Sequence, residues 1–352
     1  MTKIHQMLPN YMPLDAIGNC VTVMRDLLRQ WGYGSEIFAK MIHDDLKARD
    51  YRLFEAEKDD SFVIYHYSTG SPVNRFALDN AKNLILMYHN ITPAKFFSGF
   101  NEDAERNCRE GRDFLKKFAG KVKFAMAGSP YNARELEEMG FGSVAVVPYI
   151  LDFDKIKPSG FNPFDDEKTN ILFVGRISPN KRYEDLLKIF YFYRKYVNTN
   201  SRLVLVGGYA PTERYYLYLQ SIIDSLKIPD VCFTGFVPDD ELGDYYDAAS
   251  LFLCMSQHEG FCIPVIEAMR FRLPVVALAN TAVTDTMGYA GALVNRSDPN
   301  EIAELIGLIL ENNKYKSAII ETQLKRVDDF AREKMTENFR QALTRAVSGA
   351  AV

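Results

Sequence analysis

The 352-residue chain lacks the features that mark secreted, zinc-binding and membrane-spanning proteins. Its five cysteines are scattered and show neither CxxC nor His-rich metal spacing, which favours a reducing, cytoplasmic setting. The opening residues, MTKIHQMLPNY, lack the basic and apolar layout of a signal peptide. No apolar run approaches the roughly 20 residues that span a bilayer. Any membrane contact is therefore expected to be peripheral.

An excess of basic charge and a dinucleotide fingerprint are also missing. The net charge of −4 gives no general reason to expect nucleic acid as a partner. No GxGxxG follows a first strand, and this removes the main support for a dehydrogenase. The composition, 47% hydrophobic and 25% charged, is otherwise that of a folded globular protein. The length suffices for two domains, each with its own core.

Short apolar runs alternate with longer helix-like segments along most of the chain. They include SFVIYHY, NLILMYHN and VKFAMAG in the first half, and NILFVGR, RLVLVGG and LFLCMS in the second. Strands separated by amphipathic helices predict βαβ units around parallel sheets. The stretch PYILDFDKIKPSGFNPFDDEKTN is rich in Pro, Gly and Asp, and predicts a linker. We therefore expect an α/β protein with two Rossmann-like domains and a cleft between them.

Two carboxylates stand out in the stretch SQHEGFCIPVIEAM. Proline suits the first turn of a helix, so a helix should begin near Pro264, with Glu267 in its first or second turn and Glu259 in the loop. Backbone N–H groups of residues 260–262 and the positive helix end would then face the same ligand as Glu259. This predicts a pocket for hydroxyls and phosphates. The alternative is one capping carboxylate and one solvated helix face.

Other candidates follow further predicted strands. In GRISPNK, Arg176 and Lys181 are close enough to converge on a diphosphate, although an ordinary surface loop explains them too. His89 in MYHNITP could bind a sugar hydroxyl, or could be a packed histidine that satisfies a loop carbonyl. Gly18 begins the first predicted helix, where its N–H could face a phosphate. The pair Asp152-x-Asp154 falls in the linker, where chance explains it better than metal binding.

Taken together, three segments resemble the retaining nucleotide-sugar glycosyltransferases of the GT-B fold known as glycosyltransferase family 4. They are GRISPNK, TGFVPDDELGDYYDAASLFLCMSQHEGFCIPVIEAMRFRLPVVA and GNCVTVMRDLLRQWGYGSEIFA. The family's acidic signature, E-x7-E, is met by Glu259 and Glu267. The resemblance covers nearly the whole chain. It implies an acceptor-side domain at 1–152, a nucleotide-sugar-binding domain at 153–334, parallel sheets that face each other, and a C-terminal helix at about 335–352 that packs back on the first domain.

The resemblance also implies a role for each candidate residue. Glu259 contacts the donor sugar together with backbone amides, and Glu267 binds the ribose. Arg176 and Lys181 hold the diphosphate, while His89 lies near the transferred sugar. The predicted catalytic residues are His89, Arg176, Lys181 and Glu259, and the predicted donor-binding residues are Gly18, Phe236, Val237, Gly260, Phe261, Cys262, Ile263 and Glu267.

The sequence thus predicts a retaining, metal-independent hexosyltransferase that needs no cofactor and acts in cell-surface polysaccharide biosynthesis. The donor would be GDP- or UDP-hexose, of mannose or glucose type, and the acceptor a glycan or a lipid-linked glycan. The segments TPAKFFSGF and FLKKFAGKVKF place Phe beside Lys, so they could rest on the inner face of the membrane, or could be packed loops. The alternatives are a nucleotide-sugar epimerase or phosphorylase with the same fold, and a non-catalytic GT-B partner subunit.

Overall fold

A computed structural model of the chain describes residues 2–13, 15–55 and 61–349. It divides into two compact units. The first unit comprises Met1–Ala94, Asp103–Leu151 and Phe330–Val352, and the second comprises Lys95–Glu102 and Asp152–Asp329. None of the helices in the described part of the chain has the length and apolar character needed to cross a bilayer.

The first unit is built on a seven-stranded sheet. Its strands are β1 (Ile4–Tyr11), β2 (Ile37–Ile42), β3 (Arg49–Asp50), β4 (Phe62–Tyr67), β5 (Asn83–Tyr88), β6 (Phe124–Ala127) and β7 (Ala145–Val146). The helices that alternate with them are α1 (Ala16–Gln30), α2 (Pro72–Asn80), α3 (Glu102–Leu115) and α4 (Pro130–Glu138). All neighbours pair in parallel, in the order β3-β2-β1-β4-β5-β6-β7. The strand order therefore reverses between β1 and β4.

The second unit holds a six-stranded parallel sheet in the order β10-β9-β8-β11-β12-β13. Its strands are β8 (Thr169–Val174), β9 (Ser201–Val206), β10 (Val231–Gly235), β11 (Leu251–Cys254), β12 (Val275–Leu278) and β13 (Ala292–Val294). Its helices are α5 (Tyr183–Tyr196), α6 (Glu213–Leu226), α7 (Asp239–Asp247), α8 (Ile263–Arg270), α9 (Thr281–Met287), α10 (Pro299–Glu311) and α11 (Asn313–Val327). Here the order reverses between β8 and β11. The α/β class and the parallel sheets expected from the sequence are confirmed.

Several helices begin with the same local signal, a polar N-cap followed by proline. Ser71 precedes α2 and its hydroxyl accepts a hydrogen bond from the Val73 N–H at 3.3 Å. Ser129 caps α4 in the same way, and the Asp298 carboxylate caps α10. The cap satisfies a donor that the helix leaves unpaired, and proline has no N–H to satisfy at that position. Local sequence therefore determines where these helices start.

The last helix, α12 (Arg332–Ser348), belongs to the first unit. Phe339 is fully buried, with its ring centroid 5.6 Å from that of Trp31, and the guanidinium of Arg340 lies 5.9 Å from the Trp31 ring. This contact joins α12 to the end of α1. Residues 350–352 of the predicted C-terminal helix lie outside the described residues.

The segment Lys95–Glu102 joins the second unit although it lies between β5 and α3 in the chain. The ring centroids of its Phe100 and of Tyr215 lie 5.1 Å apart in a T-shaped arrangement, and Asn101 Nδ2 donates to the Pro211 carbonyl at 2.6 Å. Phe97 and Phe118 are both buried. For these two phenylalanines the structure favours the packed-loop interpretation of TPAKFFSGF and FLKKFAGKVKF.

Candidate active site

Lys181 and Glu259 follow β8 and β11, the two strands at which the order of the second sheet reverses. The carboxyl ends of neighbouring parallel strands share one edge, and the crevice at such a reversal is where open α/β sheets bind ligands. Lys181 Nζ lies 2.5 Å from Glu259 Oε1, and the side chains are only 20% and 9% exposed. The structure thus joins the basic and acidic motifs in one ion pair.

The carboxylate decides the charge state of Lys181. Burial acts against the ammonium, but the attraction of Glu259 and their hydrogen bond outweigh it, so the pKa of Lys181 is raised. A buried charge is tolerated in proteins when it is paired and hydrogen-bonded. Lys181 therefore remains a cation at neutral pH within a largely desolvated site.

The loop that carries Glu259 is held from both sides. Asn180 Nδ2 donates to the His258 carbonyl at 2.9 Å, and the Asn180 carbonyl accepts from the Gln257 N–H at 2.8 Å. On the other side, the Glu259 N–H donates to Thr281 Oγ1 at 3.0 Å. These bonds fix the loop before any ligand arrives. Sequence reasoning missed Asn180 because it considered only the charged residues of GRISPNK, and nothing in the local sequence pointed to Thr281.

Helix α8 begins at Ile263 with Pro264 as its second residue, so the predicted start is confirmed and Glu267 lies in the second turn. The N-cap, Cys262, has left-handed backbone angles (φ 73°, ψ 66°), and its side chain makes no capping hydrogen bond. A helix start without a side-chain cap presents its positive end to a ligand. Gly260 and Phe261 complete the loop ahead of it, and the predicted contacts of these backbone amides with a donor sugar stay a prediction.

Glu267 is prepared to accept hydrogen bonds. The Tyr246 hydroxyl of α7 donates to Glu267 Oε2 at 2.7 Å. Burial raises the pKa of Glu267 to about 7, the Tyr246 bond opposes this, and the charge of Asp239 adds to it. The carboxyl therefore changes charge near neutral pH. Sequence reasoning missed Tyr246, which is buried in the core and becomes relevant only through this contact.

Three strand ends of the second sheet meet through glycine. The Gly175 N–H donates to the Val206 carbonyl at 2.8 Å, and the Gly207 N–H donates to the Gly235 carbonyl at 2.9 Å. Gly207 has a φ of 148°, and a Cβ atom there would overlap the Gly175 carbonyl oxygen. The glycine-rich strand ends thus allow a close backbone approach at the edge that carries the candidate site.

Arg176, next to this glycine contact, is exposed, and its guanidinium has no hydrogen-bond or ion-pair partner among the described residues. It is thereby distinguished from Lys181, whose ammonium is held by a carboxylate. Phe236 and Val237 directly follow β10, and Phe236 is 62% exposed. The structure brings all these predicted residues to the carboxyl edge of one sheet.

Gly18 belongs to the first unit, and its N–H already has a partner. The Asp15 carboxylate, which caps α1, accepts from the Gly18 N–H at 3.1 Å. A Cβ atom at position 18 would overlap the carbonyl oxygen of Met12. Close packing against Met12 therefore explains the glycine, and the N–H predicted to face a phosphate is used by the helix cap.

His89 also lies in the first unit, within a buried chain of hydrogen bonds that runs from Gln6 to Tyr149. Gln6 Nε2 donates to the Val21 carbonyl at 2.9 Å, so Gln6 Oε1 is the acceptor for His66 Nε2–H at 3.0 Å. His66 Nδ1 then accepts from His89 Nε2–H at 2.8 Å. The remaining nitrogen, His89 Nδ1, accepts from the Tyr149 hydroxyl at 2.8 Å. Each bond determines the tautomer of the next ring.

Both histidines are neutral. Burial lowers the pKa of His89 to about 3, and burial together with His89 holds the pKa of His66 well below its usual value. Because both ring nitrogens of His89 are used inside the unit, the geometry favours the packed-histidine interpretation. Within the described residues, no group of three or more His, Cys, Asp or Glu side chains could hold a metal ion.

Comparison with known proteins finds a family model that is similar to most of the second unit. Residues 154–326 match the family described as glycosyl transferases group 1. The O-antigen chain mannosyltransferase B of Escherichia coli is 27% identical over 165 residues, 47% of this chain and 43% of that protein. A probable sucrose-phosphate synthase of Thermosipho melanesiensis is 24% identical over 279 residues, 72% of this chain and 64% of that protein. The chain thus matches less than two thirds of the length of these curated relatives.

Solved structures extend the likeness to the whole chain. The sucrose-phosphate synthase of Thermosynechococcus elongatus superposes with a TM-score of 0.78 at 18% identity, covering 99% of this chain and all of that one. HepE of Anabaena, solved with UDP and glucose, has a TM-score of 0.71 at 17% identity, covering 98% of this chain and all of that one. Identities this low show the fold alone. The predicted GT-B fold is confirmed.

Proposed function

We propose that the protein is a retaining glycosyltransferase of family 4, which transfers a hexose from a nucleotide diphosphate sugar to a glycan or lipid-linked acceptor. The observation that carries this proposal is the Lys181–Glu259 ion pair, at the strand reversal of the second sheet and beside the uncapped start of α8. Such a site offers a cation, a carboxylate and a positive helix end to one polar ligand.

The diphosphate would lie against Lys181 and Arg176. An ammonium has three N–H donors, so Lys181 can donate to a phosphate oxygen while Glu259 still accepts one of its hydrogen bonds. Arg176 is exposed and supplies a planar guanidinium that suits phosphate oxygens. We propose that Gly18 also lies near the diphosphate. It would have a structural role there and not that of a donor, because its N–H already donates to the Asp15 carboxylate.

The sugar and the nucleoside would lie on either side of the diphosphate. Glu259 accepts hydrogen bonds from hydroxyls of the sugar, with the backbone of Gly260–Ile263 beside it. Glu267 accepts from the ribose hydroxyls, and Tyr246 holds its carboxylate in place. The base would lie against the backbone at Phe236 and Val237.

The proposed mechanism is front-side displacement, in which the departing phosphate helps to deprotonate the acceptor and the anomeric configuration is kept. The two signature carboxylates already have partners, Glu259 in Lys181 and Glu267 in Tyr246, which suits binding roles better than covalent catalysis. Fixed cations and backbone dipoles neutralise the leaving group, so no divalent metal is required. We propose that His89 lies near the transferred sugar, with its ring in the neutral form.

Relatives guide the choice of substrate. The match to an O-antigen chain mannosyltransferase supports a mannose donor and a role in cell-surface polysaccharide biosynthesis. The HepE structure with UDP and glucose supports a UDP-glucose donor as the other candidate. All five cysteines are free thiols, as suits the cytoplasm, where we place the enzyme, at the inner face of the membrane if the acceptor is lipid-linked.

The test begins with a thermal-shift panel of GDP, UDP and ADP. The protein is then incubated with GDP-mannose or UDP-glucose, with and without candidate glycan acceptors, and released nucleotide diphosphate is measured. We expect release that depends on the acceptor, survives EDTA and is lost in Glu259→Gln. An epimerised donor without release would identify an epimerase, and a protein that stabilises with none of the nucleotides would point to a non-catalytic subunit.

A further inference from the structure

A second pocket lies entirely within the first unit, where the order of that sheet reverses between β1 and β4. It has a volume of about 630 Å³ and is open to solvent at the carboxyl ends of these strands. Asn10 of β1 and Lys40 of β2 form one side, and Arg75 of α2 with Asn107 and Glu110 of α3 form the other. Its position in the first sheet corresponds to that of the Lys181–Glu259 pair in the second, and its size is that of a small-molecule site.

The wall of this pocket is preformed. The Gly70 N–H donates to the Asn107 carbonyl at 2.9 Å, and a Cβ atom at Gly70 would overlap that same oxygen. Gly111 approaches the Gly70 backbone from α3 just as closely. Buried Asn74 adds a hydrogen bond from its Nδ2 to the Thr69 carbonyl at 3.1 Å. The β4–α2 loop is therefore locked onto α3, and a ligand would not have to order it.

The charged groups of the pocket are available to a ligand. Lys40, Arg75 and Glu110 are exposed, and none of the three has an ion-pair partner within the described residues. The guanidinium carbon of Arg75 lies 6.0 Å from the centroid of the Phe114 ring. Two cations and one carboxylate give the pocket a net positive charge, while its amides and Phe114 offer hydrogen bonds and an apolar surface.

We propose that this pocket binds the acceptor as an anionic saccharide, a sugar that carries a phosphate or a carboxylate. Lys40 and Arg75 would hold the anionic group. Glu110, with the nearby amide side chains, would bind the hydroxyls, and Phe114 would face the C–H surface of the sugar ring. The proposal rests on the proposed function, because it names the substrate class on the acceptor side of that reaction.

The test is calorimetric titration of the full chain with glucose 6-phosphate, mannose 6-phosphate, glucuronic acid, glucose and inorganic phosphate. We expect the three anionic sugars to bind at least about tenfold more tightly than glucose or inorganic phosphate. Lys40→Ala and Arg75→Ala should each weaken the anionic sugars about tenfold. The control is Lys121→Ala. Lys121 is exposed and lies before β6, at the amino edge of the sheet, so this change should leave the affinity for the anionic sugars unaltered.

Equal binding of glucose and its 6-phosphate would overturn the anionic class, and equal binding of inorganic phosphate would overturn the saccharide. Anionic sugars that bind without regard to Lys40 and Arg75, or that do not bind at all, would refute the pocket. Nucleotide binding measured on the same variants should remain at the wild-type level. Because the thermal-shift panel tests the donor site alone, a failure of the proposed function is recognised separately from a failure of this pocket.

Discussion

The two units place buried ionisable side chains at the carboxyl edges of similar parallel sheets, but these side chains are charged in the second unit and neutral in the first. In the second unit, Lys181 keeps its charge because Glu259 pairs with it. In the first unit, burial lowers the pKa values of His66 and His89, and their partners, an amide, a phenol and each other, offer no negative charge that would oppose it. Burial disfavours charge in both places. The difference shows that the partner side chain, and not burial alone, decides whether such a group is ionised.

Removing the cation of the second unit should have the largest effect. If Lys181 donates to the leaving diphosphate as proposed, Lys181→Ala should lower turnover about 10²- to 10³-fold. It should also lower the free energy of unfolding by about 1–3 kcal/mol, because Glu259 keeps a largely buried carboxylate without its partner. Steady-state kinetics and chemical denaturation measure the two effects, with the exposed Lys314→Ala as control.

The double variant Lys181→Ala with Glu259→Gln sharpens this test. If the pair determines the charge state, the double variant should be less destabilised than the sum of the two single variants. Strict additivity of the unfolding free energies would show that the ion pair seen in the structure does not couple the two residues.

The next largest effect concerns the close contact between Gly207 and Gly175 at the strand ends of the second sheet. Gly207→Ala should destabilise the protein by about 2 kcal/mol or more, because a Cβ atom there would overlap the Gly175 carbonyl at an unfavourable φ. The neighbouring Gly208→Ala is a matched control, since a Cβ atom at that position meets nothing within 4 Å. Denaturant unfolding of both variants measures the difference. Equal stabilities would mean that the close approach of β8 and β9 is not required.

The neutral histidines of the first unit predict a loss of stability in acid. Their folded-state pKa values are depressed, for His89 to about 3, so their contribution is complete above the unfolded value near 6.5 and is lost as the pH falls. Each ring contributes at most about 1.4 kcal/mol per pH unit within that window. The destabilisation caused by His66→Gln should therefore be largest at pH 7 and shrink toward pH 4.5. The same measurement on the surface variant His43→Gln is the control. A His66→Gln destabilisation that does not shrink toward pH 4.5 would contradict the prediction.

The smallest predicted effect concerns Glu267. Its ionisation is intermediate between that of the charged Lys181 and that of the neutral histidines, because it is buried in the second unit with the neutral Tyr246 as its hydrogen-bond partner. With a pKa of about 7, it is mostly protonated at pH 6 and mostly ionised at pH 8. If the ionised form binds ribose, the affinity for nucleotide should rise about tenfold over this range, and then level off. Calorimetry of the wild type and of Glu267→Gln isolates the contribution of Glu267 ionisation to nucleotide affinity, because the ionisation of the nucleotide itself is common to both proteins. Parallel pH profiles would exclude Glu267 from the ribose site.

Much of this protein could be predicted from local sequence. The alternation of apolar runs and amphipathic helices determined the α/β class, because residue periodicity reflects which face of each element is buried. Pro264 determined the start of α8 through its missing N–H, and this placed Glu259 in a loop and Glu267 in a helix. The identity of the charged candidates was also evident, since Lys, Arg and Glu at strand ends were visible in the motifs.

The contacts that these side chains make depend on how distant parts of the chain pack together. Lys181 and Glu259 are 78 positions apart, and they meet because β8 and β11 are neighbours in the sheet. His66 and His89 determine each other's tautomers across two adjacent strands, and Glu267 obtains its shifted pKa from the interior around it. Periodicity and turn residues report the local backbone, whereas ionisation and hydrogen bonding depend on which distant elements share an edge. Strand order is a property of the whole chain's packing, and no single motif contains it.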